Sequence, residues 1–406
     1  MPELYPYPRF SLEERERRWA KVRGMMSEAR LDVIVSPNNT GHSTDFQANS
    51  RYLSHVGGGG DADIAVVFPL EGDVTAIATS AAPRWPTVQE WTTDVREARR
   101  NYGRVAVERL KELGLDKGRI GIAGLGDESG TRTPEGTVGY GFWKQIRGAF
   151  PDAELVDATT LMAKARYVKS EEEVAALQKS MDIIEKGIEA KIAAAKPGVL
   201  DWEVWAAAQY GMMKNGSEIP VHCNWVSGNN PVRTLTRPSH RVLERGDLII
   251  NELEANWMGY RSQAVQPVFV EQVDPVHAEL IKVQREVFEL TREQLRPGIS
   301  VKELSEFAAA AGKKAIPTNG PAAGAKTKLT MHGRGAGDDG PIITNHAREP
   351  EQLAVRLEEN MVFTYKPAAE TPNGSHICTW GDTVVVTPDG GRRMGKRPHD
   401  LAVAGG

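Results

Sequence analysis

Two stretches of this 406-residue chain repeat one another: Lys196-Pro197-Gly198-Val199, followed by Trp202-Glu203-Val204, returns as Arg296-Pro297-Gly298-Ile299, followed by Lys302-Glu303-Leu304. At each, a helical pattern stops at Pro-Gly and an amphipathic one restarts, because proline cannot continue a helix and glycine supplies the turn. Such an echo constrains the C-terminal part to two related helix-plus-sheet halves. Extended runs follow each half: Asp247–Glu254 and Arg261–Val270 after the first, Met361–Lys366 and Asp382–Thr387 after the second. An antiparallel sheet backed by helices accommodates them.

A domain boundary is expected at Arg166–Val174 (RYVKSEEEV), where Ser170 with Glu173 makes a capping box at the head of a long helical segment. The chain then divides into domains 1–165 and 166–406, in keeping with single cores rarely exceeding about 250–300 residues. Upstream, helix-forming Glu13–Leu31 and the short β-type runs Asp32–Ser36, Asp63–Phe68, Val74–Thr79 and Arg119–Ala123 read as an α/β layer. Gly57–Gly60 reads as a surface turn, since no Gly-Lys-Ser/Thr follows it. Gly121–Gly130 (GIAGLGDESG) has Ser129 where a dinucleotide fingerprint needs its third glycine, and no helix pattern opens there.

The 50 Lys+Arg against 54 Asp+Glu give a net charge of −4 with no long single-sign block. No electrostatic footprint for nucleic acid or anionic membrane is visible. The N-terminal segment lacks a signal-peptide apolar core, and no run approaches the roughly 18 apolar residues of a membrane span. With Cys223 and Cys378 as its two cysteines, the chain has too few for a disulfide framework. These features together imply a cytoplasmic protein with a small-molecule substrate.

In family order and spacing, RYVKSEEEV, KPGV, VSGNNP, RPSHRVLERGDLIINELEANWMGY, MHGRG, LEENMVFTYKP and WGDTVVVTPDG resemble the methionine aminopeptidase, aminopeptidase P and creatinase family. NSRYLSHVGGGG resembles a segment of the smaller creatinase-type N-terminal domain. The resemblance implies an α/β N-terminal domain plus an α+β pita-bread C-terminal domain, with an antiparallel sheet backed by helices in two pseudo-symmetric halves, and a homodimer. Peptidases of this family hold two divalent cations with two Asp, one His and two Glu. The matching positions here are Glu252, Gln263, His332, Lys366 and Gly381. Hard cations need several anionic oxygens, so neither a metal nor another cofactor is expected. The family's two proton-shuttling histidines correspond to Leu235 or Thr236 and to Asp339, while His240 reads as an exposed turn residue.

Hydrolysis at such a centre needs a base, a proton donor and a stabiliser of negative charge. Glu252, His332 and Lys366 are candidates in that order, with Lys366 alternatively anchoring a substrate carboxylate. Against this stands a buried Glu–Lys–His network that only fills the relic site. Glu254 falls on the same strand face as Glu252. Substrate contacts are expected from Glu254, Gln263, His222, Trp225, Arg334, Asp339, His376 and Trp380, within an aromatic set that includes Trp257, Tyr260 and Tyr365. Arg334 reads equally as a carboxylate clamp or a surface arginine. His222-Cys223 and His376-Ile377-Cys378 contain zinc-ligand types, but successive strand side chains face opposite ways, so the histidines are taken as pocket liners. The leading expectation is a metal-independent, creatinase-like hydrolase of a non-peptide C–N bond in a small amidine, ureido or cyclic substrate, in class with creatinase and ectoine hydrolase. Alternatives are a metal-dependent Xaa-Pro dipeptidase or aminopeptidase, a C–N or C–S lyase, and a non-catalytic pita-bread binding module.

Overall fold

The computed structural model describes residues 4–38, 48–58, 63–79, 82–126, 137–219, 223–231, 237–343 and 350–405. They cluster into two units, Met1–Glu172 with Ala336–Gly340 and Glu173–Gly335 with Pro341–Gly406. Among the described residues no helix is long and apolar enough to cross a membrane.

In the first unit, β1 (Val33–Ser36), β2 (Ala65–Pro69), β3 (Thr75–Ala78), β4 (Asp94–Glu97), β5 (Arg119–Ile122) and β6 (Glu154–Asp157) form one sheet in the order β4-β3-β2-β1-β5-β6. Only β2 runs against its neighbours. Val33, Val35, Ala65, Val67 and Ile77 turn toward the helices Tyr102–Glu112 and Tyr140–Ala149. Their alternates Ile34, Val66, Phe68, Ala76 and Ala78 turn toward Leu12–Glu28, Ala48–Ser54 and Thr159–Ala165. Burial on both faces explains why these strands read as apolar runs without alternation. Gly57 and Gly58 take positive φ as a turn requires, whereas 59–60, and 127–130 of the discounted glycine-rich stretch, lie outside the described residues.

In the second unit, β7 (Cys223–Gly228), β8 (Leu248–Trp257), β9 (Tyr260–Ala264) and β10 (Val268–Val270) belong to the first half. The second half supplies β11 (Lys326–Lys328), β12 (Met331–Gly333), β13 (Ile342–Ile343), β14 (Val362–Tyr365), β15 (Ala368–Glu370), β16 (Ile377–Thr379), β17 (Asp382–Thr387) and β18 (Gly390–Arg393), and β19 (Ala402–Ala404) returns to the edge of the first-half sheet beside β10. The sheets run β19-β10-β8-β7 with β9 beside β8, β13-β12-β14-β17-β18, and β11-β15-β16. The run expected over Arg261–Val270 is thus broken into β9 and β10 around Pro267, which has no N–H for a ladder.

The echo is structural. Gly198 and Gly298 turn at φ 88° and 94°, after the helices Glu171–Ala194 and Pro275–Arg292 and before Asp201–Lys214 and Val301–Ala315. Gly198 N donates to Leu243 O at 2.9 Å and Gly298 N to Leu357 O at 2.8 Å; Leu243 N and Leu357 N answer to Val199 O and Ile299 O, both at 2.8 Å. Lys366 stands as far beyond Leu357 as Glu252 stands beyond Leu243. The two residues therefore occupy equivalent positions in the two halves. A capping box forms at Ser300 and Glu303, and the Glu173 carboxylate accepts from the Tyr260 hydroxyl, a longer-range bond that local spacing does not reveal.

Candidate functional site

Strand β8 carries Glu252 and Glu254, with Asn224 of β7 opposite the first and Gln263 of β9 opposite the second. Lys366 leaves the end of β14 and directs its ammonium to Glu252 Oε1 at 2.5 Å and to Gln263 Oε1 at 2.8 Å. The Gln263 amide donates to Glu254 Oε1 at 2.5 Å, so this amide orientation alone serves both neighbours. Arg334, just beyond β12, pairs with Glu254 and donates from Nε to Thr364 Oγ1 at 2.9 Å. Asn224 donates to Glu252 Oε2 at 3.3 Å. One polar chain results: Asn224, Glu252, Lys366, Gln263, Glu254, Arg334, Thr364.

The two ends of this chain differ in depth. Glu254 and Arg334 are 0% and 1% exposed at the side chain, Glu252 and Lys366 16% and 7%. Burial alone would raise the Glu252 pKa, but the Lys366 charge and hydrogen bond outweigh it, helped by Asn224 and His332, and hold the carboxyl at about 2. Glu252 is thus ionised at neutral pH and has little tendency to take a proton, which weakens it as a general base. His332, buried on β12, shares the surroundings of Glu252 and has Nδ1 3.2 Å from Gly333 O.

A pair of divalent cations does not fit this arrangement. The oxygens of Glu252 and Gln263 already converge on an ammonium, and the Glu254 carboxylate is paired with a guanidinium. A doubly charged ion about 4 Å from Lys366 Nζ would be repelled by about 8 kcal/mol at an effective dielectric of about 20. The fifth ligand position is closed as well. A Cβ on Gly381 would sit 2.7 Å from Lys366 Cβ and 3.3 Å from Val265 Cγ2.

Of the expected residues, Glu252, Gln263, Lys366, Glu254 and Arg334 are brought together, with His332 beside Glu252. Arg334 proves neither a surface group nor an open clamp, since Glu254 engages it in the interior. Trp225 lies on the β7 face opposite Asn224, fully buried, with its indole donating to Asp201 Oδ1 at 2.6 Å. Trp380 is also core: it stacks on His399 at 4.0 Å between Arg393 and Arg397 and donates to Gln266. Asp339 pairs with Arg166 at 2.8 Å in the first unit. His376 sits in the turn before β16, near His277, and His240 is exposed. His222, Leu235 and Thr236 lie outside the described residues. Asn224 and Thr364 were not foreseen; strand alternation from Glu252 would have pointed to a β7 partner, but only the register names Asn224.

Comparison with known proteins places the chain. Residues 175–388 match the model of metallopeptidase family M24, and residues 18–168 match the creatinase/prolidase N-terminal domain. Among curated relatives, an Xaa-Pro dipeptidase of Pyrococcus horikoshii is 25% identical over 83% of this chain and 90% of its own length. A creatinase of Bacillus sp. is 25% identical over 98% of this chain and 89% of its own. The X-Pro aminopeptidase structure from Thermotoga maritima superposes with a TM-score of 0.75 at 20% identity, covering 95% of this chain and 99% of that one.

These findings correct the expected function. A metal-independent, creatinase-like hydrolase of a non-peptide amidine, ureido or cyclic C–N bond is not what the relatives support: the matching family is one of metallopeptidases, and Xaa-Pro dipeptidases are among the similar proteins. Replacement of the ligands had argued for a changed substrate, yet it speaks to the charge at the centre rather than to the bond that is cut. Belonging to metallopeptidase family M24, behind a creatinase/prolidase-type N-terminal domain, is what the two matched stretches of the sequence establish for this chain.

Proposed function

We propose that the chain hydrolyses the C–N bond of a small peptide substrate of the Xaa-Pro dipeptide class, with the Glu252–Lys366 pair as its reacting centre. The observation that carries this reading is the similarity to an Xaa-Pro dipeptidase over most of both chains. A dipeptide carries one ammonium and one carboxylate, and the centre offers one charge of each sign on its more exposed side. The Lys366 charge lies where a scissile carbonyl oxygen gains negative charge, and a fixed cation in a buried site stabilises that oxyanion. Glu252, held ionised, orients the substrate ammonium or the attacking water by hydrogen bonding. His332 moves the proton to the leaving nitrogen, since an imidazole both accepts and donates through its ring nitrogens. Because the residues do not fit a cation pair, each of these steps belongs to the chain's own groups. The homodimer implied by the family resemblance is part of the same proposal and is checked by light scattering.

The reading is tested by following proline release from a panel of Xaa-Pro dipeptides, with Xaa-Ala dipeptides and Xaa-Pro tripeptides alongside. Turnover confined to Xaa-Pro substrates is the expected outcome. Silence across the whole panel would overturn it.

A further inference from the structure

Apart from the Glu252–Lys366 centre, three side chains with metal-binding donors converge in the second unit. Asp274 caps the helix Pro275–Arg292, its Oδ1 accepting from Val276 N and His277 N at 2.9 and 3.0 Å. His277 follows in the first turn, and His376 comes from the turn joining β15 to β16. His277 Nδ1 lies 3.2 Å and His376 Nε2 4.0 Å from Asp274 Oδ1, and one donor atom from each of the three lies within 4.8 Å of the others. The two rings meet edge to face at 5.2 Å.

The cluster is set at the edge of the core: the His277 side chain is 2% exposed, and those of His376 and Asp274 are 23% and 36% exposed. Donors around a tetrahedral ion at about 2.0–2.2 Å stand about 3.3 Å from one another. Closing the remaining gap asks only for a shift of His376, which is partly exposed and sits on a turn. Cys378, which the sequence sets beside His376, is no part of the cluster: burial pushes its thiol up to about 12, so it stays protonated.

We propose that Asp274, His277 and His376 bind one divalent transition ion of the zinc type through a carboxylate oxygen and two imidazole nitrogens, with water completing the shell. Such a His2Asp set suits borderline ions and not the all-oxygen preference of Mg2+ or Ca2+. The ion ties the start of the helix Pro275–Arg292 to the β15–β16 turn, at the opposite end of that hairpin from Lys366 and Gly381. Its role is a staple, and it holds whatever the substrate of the Glu252–Lys366 centre proves to be.

Chelator-stripped full-length protein is dialysed against Co2+, with bound metal counted and the visible d–d bands recorded. The wild type is expected to bind one Co2+ per chain with the bands of a low-coordinate site. His376→Ala should weaken binding by more than about 100-fold, the upper range for losing a mere supporting partner of a ligand, and Glu252→Gln should leave it unchanged. Absent Co2+ binding, equal binding by His376→Ala, or loss of binding in Glu252→Gln instead would each overturn the proposal. His277→Ala removes a buried ring and risks the fold, whereas His376→Ala alters a turn and keeps the test decisive.

Discussion

Glu252 and Glu254 stand two residues apart on one face of β8, and each meets a cation from the second half of the unit, yet the pairs differ in depth. Glu254 and Arg334 are sealed and flanked by Gln263 and Thr364; Glu252 and Lys366 keep a more exposed edge. Two carboxylates with the same local chemistry are thus assigned different work by burial. The inner pair is a condition of the fold, because an unpaired interior charge is costly. The outer pair holds opposite charges with a more exposed edge, as the proposed dipeptide substrate requires. Its placement follows from the internal symmetry, which sets Glu252 and Lys366 at equivalent positions of the two halves.

The sharpest way to break this contrast is to remove the cations one at a time. Arg334→Met leaves the Glu254 charge in the interior and should lower stability by about 3–5 kcal/mol, read from urea unfolding. Lys366→Met should lower it less, since Glu252 can regain water. The reverse order would show that depth does not separate the pairs.

Acid gives a direct handle on the Glu252–Lys366 pair. The Glu252 pKa is depressed from 4.5 to about 2 in the folded chain, so its contribution is fully present above pH 4.5 and fades as pH falls from 4.5 toward 2. The linkage amounts to about 3 kcal/mol. Unfolding followed between pH 5 and about pH 2 should show a shallower decline for Glu252→Gln than for the wild type; parallel curves would mean that Lys366 does not hold Glu252 ionised.

Gly381→Ala probes the closed ligand position. The new Cβ meets Lys366 Cβ at 2.7 Å, and overpacking of this kind costs about 1–3 kcal/mol. A stability unchanged by the substitution would mean that Lys366 has room to withdraw. Smallest of all, His240→Ala on an exposed turn should stay within about 0.5 kcal/mol and leave peptide turnover unaltered, and a marked loss of turnover would give His240 a part in the reaction.

The division of the second unit into two pseudo-symmetric halves was legible because its marks are local: a proline that stops a helix, a glycine at positive φ, and a helix that restarts. Glu252 opposite Lys366 was legible through motif spacing. The Glu254–Arg334 pair was not, since it joins β8 to the residue after β12 and no local pattern records such a meeting. Trp225 and Trp380 were assigned to a pocket by proximity in sequence to site residues, but strand alternation turns Trp225 away from Asn224 into the core, and His399 covers Trp380. The pairing of Asp339 with Arg166 escaped for a similar reason: the two are remote in sequence. The cluster of Asp274, His277 and His376 also escaped, because its donors come from a helix cap and a distant hairpin turn, while the sequence drew attention to the adjacent cysteine. The substrate class was legible only as an alternative, because lost ligands describe the electrostatics of a centre without naming the bond it opens.

Proline release from Xaa-Pro dipeptides by wild type and by folded Lys366→Met tests the central claim most directly. If the Glu252–Lys366 pair is the reacting centre, wild type turns over and kcat in the variant falls by about 100- to 1,000-fold, the range for losing one oxyanion stabiliser. Undiminished kcat in Lys366→Met, with the wild type active, would contradict it.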